Sequence, residues 1–268
     1  MTQRPNRIHP IDSAELLAFF TDAEHRFGIV RLDKHSDESA ELDQFFCNAE
    51  FRLKLAIASQ QEIDQKLATA FNVFDLIEPD ENKLSDILAD LLDPAGRHGQ
   101  RDLFLRLLFE RLGLSPARNL AEITTVRREA PTGAIAKFRR RIDILVDAGA
   151  LIAIENKVDS PEQQDQARDY LADLNQRARQ QDAVGALIYL SPDGQPPSSV
   201  VNTVQGSTRS RVKLCSWSYQ KEIRRWISDC RDHCEAERIR DFLSCFTDYI
   251  DSKLGPRSEE IETNSNES

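Results

Sequence analysis

Residues 141–157 read Arg141-Ile142-Asp143-Ile144-Leu145-Val146-Asp147-Ala148-Gly149-Ala150-Leu151-Ile152-Ala153-Ile154-Glu155-Asn156-Lys157. Two short β-branched runs flank a glycine-centred break, the pattern of a β-hairpin. A loop centred on Gly149 sets Asp143 opposite Glu155. Directly opposed positions of an antiparallel pair hold their Cβ atoms about 5 Å apart, where like charges repel. A divalent cation offsets that repulsion, because Mg²⁺ and Mn²⁺ prefer carboxylate, carbonyl and water oxygens. Lys157, two residues past Glu155, falls on the same face by the strand period. The flanking Ile142, Ile144, Ile152 and Ile154 are expected on the opposite face, anchoring the hairpin in a core. A structural salt cluster, with Lys157 neutralising one acid and solvent the other, is the alternative reading of these residues.

Around this hairpin, Ile123 to Ala130, Phe138 to Val146, Leu151 to Lys157, Ala186 to Leu190 and Val212 to Trp217 are apolar or β-branched runs that read as strands. Ser160, Pro161 and Gln163 predict the N-cap, first position and capping box of a helix reaching about Arg179. Upstream, Leu84, Ile87, Leu88, Leu91 and Leu92 form a helical stripe that follows Asp80 and stops at Asp93-Pro94-Ala95-Gly96. A further helix is expected from about Gln100 to Leu112. Leu53, Ala56, Ile57, Leu67 and Phe71 show helical spacing in an Ala-, Leu-, Gln- and Glu-rich stretch. The expected division is a helical module over residues 1–72, a core over 73–217, helices packed on that core over 218–254, and a disordered acidic tail over 255–268.

Composition narrows the function. With 268 residues, 40% hydrophobic and 30% charged, the chain reads as a soluble globular protein that needs no disulfide to hold its core. A formal charge of −10 gives no global basic field, so any contact with a polyanion must be local. The candidate for such a contact is residues 127–141, where Arg127, Arg128, Lys137, Arg139, Arg140 and Arg141 face Glu129 alone. These cations suit a phosphate backbone; the alternative is a solvated hairpin. No apolar run approaches the length of a membrane helix, and the first ten residues lack the apolar stretch of a secretory signal, so a cytoplasmic protein is expected. The five cysteines, Cys47, Cys215, Cys230, Cys234 and Cys245, are odd in number and scattered, and read as reduced thiols. Cys230-Arg231-Asp232-His233-Cys234 lacks the paired spacing of zinc sites. Phosphate-loop, dinucleotide and nucleophile-elbow motifs are absent.

Asp143, followed by Glu155-Asn156-Lys157, resembles the signature of the PD-(D/E)XK nuclease superfamily. Ile142 stands where that name expects proline, which leaves the ligating carboxylate in place. The resemblance runs over about residues 73–230. It includes Glu81 through Pro94, His98-Gly99-Gln100 with Phe104-Leu105, Gln166 with Tyr170, Tyr189 through Gly194, and Ser218-Tyr219 through Trp226. It implies an α/β restriction-endonuclease-like core of four or five mixed strands wrapped by N-terminal and C-terminal helices.

The resemblance further implies a metal-dependent nuclease acting on nucleic acid, DNA in preference to RNA, with defence against foreign DNA or DNA processing as its setting. Asp143, Glu155 and the backbone carbonyl of Asn156 would hold Mg²⁺ or Mn²⁺, and Lys157 would orient or help deprotonate the attacking water. Glu81 shares the inward stripe of Leu84 and Leu88 and either adds a carboxylate to the metal or is a favourable anion in a first helical turn. Gln166 and Tyr170 share a helical face and either donate to a phosphate, hold Lys157, or belong to a solvated helix. His98 either touches the phosphate or orders its own loop, and Glu129 either approaches the metal or pairs with an arginine. The competing functional readings are a catalytically silent binding module and an effector subunit that needs a partner protein, docked, like a homodimer, through the N-terminal helices.

Overall fold

The computed structural model describes residues 36–133, 140–158, 160, 162–200 and 210–255, with side chains from residue 42 onward. Lys137, Phe138, Arg139, Pro161 and residues 256–268 of the tail expected to be disordered lie outside these residues. The chain divides into two compact units, Met1–Phe71 and Asn72–Ser268. In the first, helix α1 spans Ser36–Leu67. Its surface carries ion pairs such as Lys54 with Glu50 and Lys66 with Glu62, and it leaves large apolar side chains in solvent, Phe45 at 64% and Phe51 at 67% exposure.

The second unit begins with two helices, α2 (Val73–Ile77) and α3 (Glu81–Leu92). Asn72 caps α2 and Asp80 caps α3, each side chain accepting a backbone N–H that the helix cannot satisfy itself. Helix α4 follows at Leu103–Arg111. It starts three residues later than the spacing suggests: Arg101, with a left-handed φ of 53°, falls outside the helical region, and the helix begins after Asp102. A short helix, α5 (Leu120–Ile123), takes Ile123, the first residue of the expected opening strand.

The strands are β1 (Thr125–Pro131), β2 (Arg141–Asp147), β3 (Leu151–Asn156), β4 (Gly185–Ser191) and β5 (Val212–Ser218). They form one mixed sheet in the order β1-β2-β3-β4-β5, antiparallel across the first three and parallel across the last three. Between β2 and β3 the turn is Ala148-Gly149-Ala150, and Gly149 takes the φ of 76° that closes it. The register pairs Ile144 with Ile154 and Val146 with Ile152, as a loop centred on Gly149 requires. Strands β3 and β4 are buried along their whole length, as expected for parallel strands covered on both faces.

Helix α6 (Gln166–Gln180) connects β3 to β4. It begins well after Ser160, from Asp165 at φ 60°, without a side-chain cap. Gln163 does not close a capping box: its side chain accepts from Arg140 and its N–H donates to Gln166. After β5, a π-helical turn at Tyr219–Ile223 leads into α7 (Arg224–His233) and α8 (Glu237–Lys253).

Two apolar layers sandwich the sheet. One joins Leu84, Leu88, Phe104, Leu108, Trp226 and Phe246 to Ile144, Val146, Ile152 and Ile154. The other packs Ala167, Tyr170, Leu174 and Ala178 of α6 on Leu145, Leu151, Ala153 and Leu187. Ile142 belongs to this second layer with Ala130, not with Ile144, Ile152 and Ile154. Between them on β1, Glu129 has a left-handed φ of 46°, a kink level with Asp143 that re-aims the ladder beyond it.

Candidate active site

Each acid of the hairpin comes from the end of a strand. The β2–β3 register carried one step further sets Asp143 beside Glu155, and the backbone N–H of Asn156 donates to Asp143 Oδ2 at 2.7 Å. Asp143 is half-buried, and burial raises its carboxyl above the usual range against the opposing pull of that N–H and of Lys157. Glu155 is only 1% exposed. Burial, followed by the charge of Asp143, pushes its carboxyl up to about 8. Its Oε1 accepts from Gln166 Nε2 at 2.6 Å and lies 3.1 Å from Lys157 Nζ. Its Oε2 is buried with no hydrogen-bond partner among the described residues.

Lys157 sits at the mouth of this pair. The N–H of Lys157 donates to Leu190 O at 2.8 Å, which extends the β3–β4 ladder by one residue and fixes the ammonium on Glu155's side. Glu81, at the start of α3, approaches from across the sheet end. Its Oε1 lies 4.0 Å from Lys157 Nζ and its Oε2 accepts from the Val158 N–H at 3.0 Å. Asn156 points to the opposite face and is fully buried. Its Nδ2 donates to Glu81 O and Ser85 Oγ, and its Oδ1 accepts from the Tyr219 hydroxyl.

The helix bearing Gln166 and Tyr170 is brought directly to the acids. Both side chains are buried, so neither belongs to a solvated face. Gln166 Nε2 also donates to Tyr170 Oη at 3.0 Å, and the Tyr170 hydroxyl donates to Arg141 O at 2.6 Å. The pair therefore braces Glu155 and the start of β2; it holds neither Lys157 nor an open position for a phosphate.

The basic stretch separates into two groups. Arg128 spans from β1 to Asp86, to Asn82 O and to Asp143 O, tying α3 to β2. Arg140 is buried and bonds Asp169, Gln163 and Gln164 O. Both are internal braces. Arg127 and Arg141 are exposed, the latter pairing with Glu129 at 2.6 Å. That pair gives Glu129 its arginine and turns it to the surface. His98 is buried in its own loop: Nδ1 accepts from Gln100 N, Nε2 donates to Asp93 O, and the ring packs 4.8 Å from Phe104. No ring nitrogen is left for a phosphate.

Sequence reasoning missed three neighbours. Tyr189 on β4 stands in register with Glu155. Ser85 and Tyr219 fill the Asn156 amide. Parallel pairing of β3 with β4 leaves no local signal in sequence, and the π-turn that buries Tyr219 has none either.

No group of three His, Cys, Asp or Glu side chains among the described residues is arranged to hold a metal ion, and Glu81 is not gathered into one set with Asp143 and Glu155. The donor chemistry of the remaining pair fits a hard divalent cation, since Glu155 offers a buried carboxylate oxygen with no partner beside a second carboxylate. No helix among the described residues is long and apolar enough to cross a membrane. A family model, described as the PD-(D/E)XK nuclease superfamily, matches residues 71–250. No curated protein and no solved structure matches the chain.

Proposed function

Because the chain belongs to the PD-(D/E)XK nuclease superfamily, whose nucleases generally use divalent metals, we propose that it hydrolyses phosphodiester bonds of DNA with Mg²⁺ or Mn²⁺. The observation that carries this reading is the pairing of a buried, half-satisfied Glu155 with Asp143 under the ammonium of Lys157. A buried carboxylate oxygen without a hydrogen-bond partner is costly for a group that serves only a structural salt cluster, which favours the metal-binding reading.

In this reading Asp143, Glu155 and the Asn156 carbonyl hold the cation. When bound, the cation eases deprotonation of water and neutralises charge developing on the phosphate. Lys157 orients the nucleophile or takes part in its deprotonation, at an ammonium held between Glu155 and Glu81. Glu81 fixes the turn at Val158. Gln166 holds Glu155 in one rotamer, and Tyr170 holds Gln166. Exposed Arg127 and Arg141 remain as contacts for the substrate backbone. A cytoplasmic role in defence or DNA processing suits the family and the absence of a described membrane helix.

Purified protein incubated with plasmid, single-stranded DNA and RNA, each with Mg²⁺ or EDTA, tests the assignment. Cleavage of DNA that EDTA stops and Lys157→Ala abolishes is the expected outcome; metal-dependent cleavage that survives Lys157→Ala contradicts the role given to Lys157. A second reading, an effector subunit that needs a partner, is favoured by the exposed Phe45 and Phe51 of α1. Cleavage that appears only when a partner protein is added supports it.

A further inference from the structure

We propose that the Asn156 side chain is a positioning residue, locking the first turn of α3 to the segment that carries Glu155 and Lys157; the proposal rests on the nuclease reading above. Asn156 lies between the two reactive side chains but faces away from them, and it is fully buried. A buried amide is costly unless filled. This one is filled by groups distant in the chain: Nδ2 donates to Glu81 O at 3.0 Å and to Ser85 Oγ at 3.1 Å, and Oδ1 accepts from Tyr219 Oη at 3.2 Å. Ser85 Oγ in turn donates to Glu81 O at 2.9 Å.

These contacts close a ring. From Asn156 the chain of bonds passes to the Glu81 backbone, through the Glu81 side chain to the Val158 N–H, and back along two residues of main chain to Asn156. Lys157 is the residue enclosed. The Asn156 N–H meanwhile donates to Asp143 Oδ2. One residue therefore sets the orientation of Asp143 through its backbone and the approach of Glu81 through its side chain. The chemistry selects asparagine. An aspartate would aim a carboxylate at the Glu81 carbonyl, and an aliphatic side chain would strand the Tyr219 hydroxyl in the core. The π-helical turn at Tyr219–Ile223, a geometry that recurs at functional sites, is what delivers that hydroxyl.

A structural role alone would cost stability and nothing else, so the test reads positioning separately. Wild type, Asn156→Ala, Ser85→Ala and Tyr219→Phe are compared well below their melting temperatures. The readouts are kcat and KM for plasmid cleavage, Mn²⁺ affinity by calorimetry, and hydrogen exchange at the Val158 amide. Loss of a group that orients ligating residues costs about 10- to 100-fold in affinity or activity. Asn156→Ala is expected to lower kcat by that factor with KM little changed, to weaken Mn²⁺ binding and to speed Val158 exchange. Tyr219→Phe, which removes one hydroxyl, is expected to move the same quantities by less, and with Ser85→Ala it carries the test if Asn156→Ala does not fold. Folded variants with wild-type kcat, Mn²⁺ affinity and exchange overturn the proposal. A wild-type protein that cleaves no nucleic acid with any divalent metal overturns the nuclease reading instead.

Discussion

Glu155 and Asn156 are consecutive residues on opposite faces of one strand, both buried, and they are treated in opposite ways. Every polar atom of the Asn156 amide has a partner, drawn from α3 and the π-turn. Glu155 has one oxygen filled by Gln166 and Lys157 and one left bare, with its proton affinity raised. On the proposed nuclease reading the bare oxygen belongs to the site, and the two faces of β3 divide the work, one holding and the other reacting.

The sharpest way to break this contrast is to remove the reactive face. Glu155→Gln and Lys157→Ala are each expected to lower nucleic-acid cleavage by roughly 10³-fold or more, the scale on which loss of a group at the reacting atoms is felt. Both variants should fold, since glutamine keeps the bond from Gln166 and Lys157 lies at a strand end. Near-normal cleavage by Glu155→Gln, measured as initial rate with Mg²⁺, would mean that the bare oxygen has no catalytic duty.

The next effect is smaller, because Gln166 and Tyr170 act through Glu155. Gln166→Ala is expected to reduce activity by about 10- to 100-fold, and Tyr170→Phe by less. Steady-state kinetics should show the loss in kcat, with KM for the nucleic acid held. A rise in KM alone would move Gln166 to the substrate and undo the bracing role.

The arginines test whether charge in sequence means charge at the surface. Arg140→Ala removes a buried cation bonded to Asp169 and is expected to cost about 3 kcal/mol of stability by denaturant unfolding. Arg127→Ala should leave stability within about 0.5 kcal/mol and lower the salt dependence of DNA binding by about one unit of slope. If the two variants behave alike in both assays, the division into brace and contact fails.

Local patterns made most of the fold legible. The hairpin register follows from Gly149, and Leu84, Leu88 and Leu92 mark the buried stripe of α3, because alternation and helical period record which side chains face the core. The charged groups were legible as a set, since Glu-Asn-Lys places two side chains on one face and the third on the other. Their partners were not. Whether Arg140 faces solvent or Asp169 depends on where α6 packs, and whether His98 meets a phosphate or Asp93 O depends on the closure of its own loop. Both are tertiary outcomes with no period to betray them. The start of α6 failed for a related reason: Gln163 had the right identity for a capping box, but Arg140 competed for its side chain.

The gentlest probe of the two-faced strand is pH. In the folded, metal-free protein the Glu155 carboxyl is raised from 4.5 to about 8, chiefly by burial. Between those values the native state keeps a proton that the unfolded chain has released, so stability falls as pH rises. The contribution is fully present below about 4.5 and lost through about 8. Asp143, raised by burial, adds a decline of the same sign at the acidic end. Melting temperatures of the metal-free protein should therefore drop from pH 5 to pH 8, and Glu155→Gln should flatten that drop. A cation entering the site must displace the same proton. Mn²⁺ titrations at pH 7 in buffers of different ionisation enthalpy should show release of up to about one proton, lost in Glu155→Gln. Binding without proton release would mean that Glu155 is already ionised or takes no part, and the face assigned to reaction would then be as settled as its neighbour.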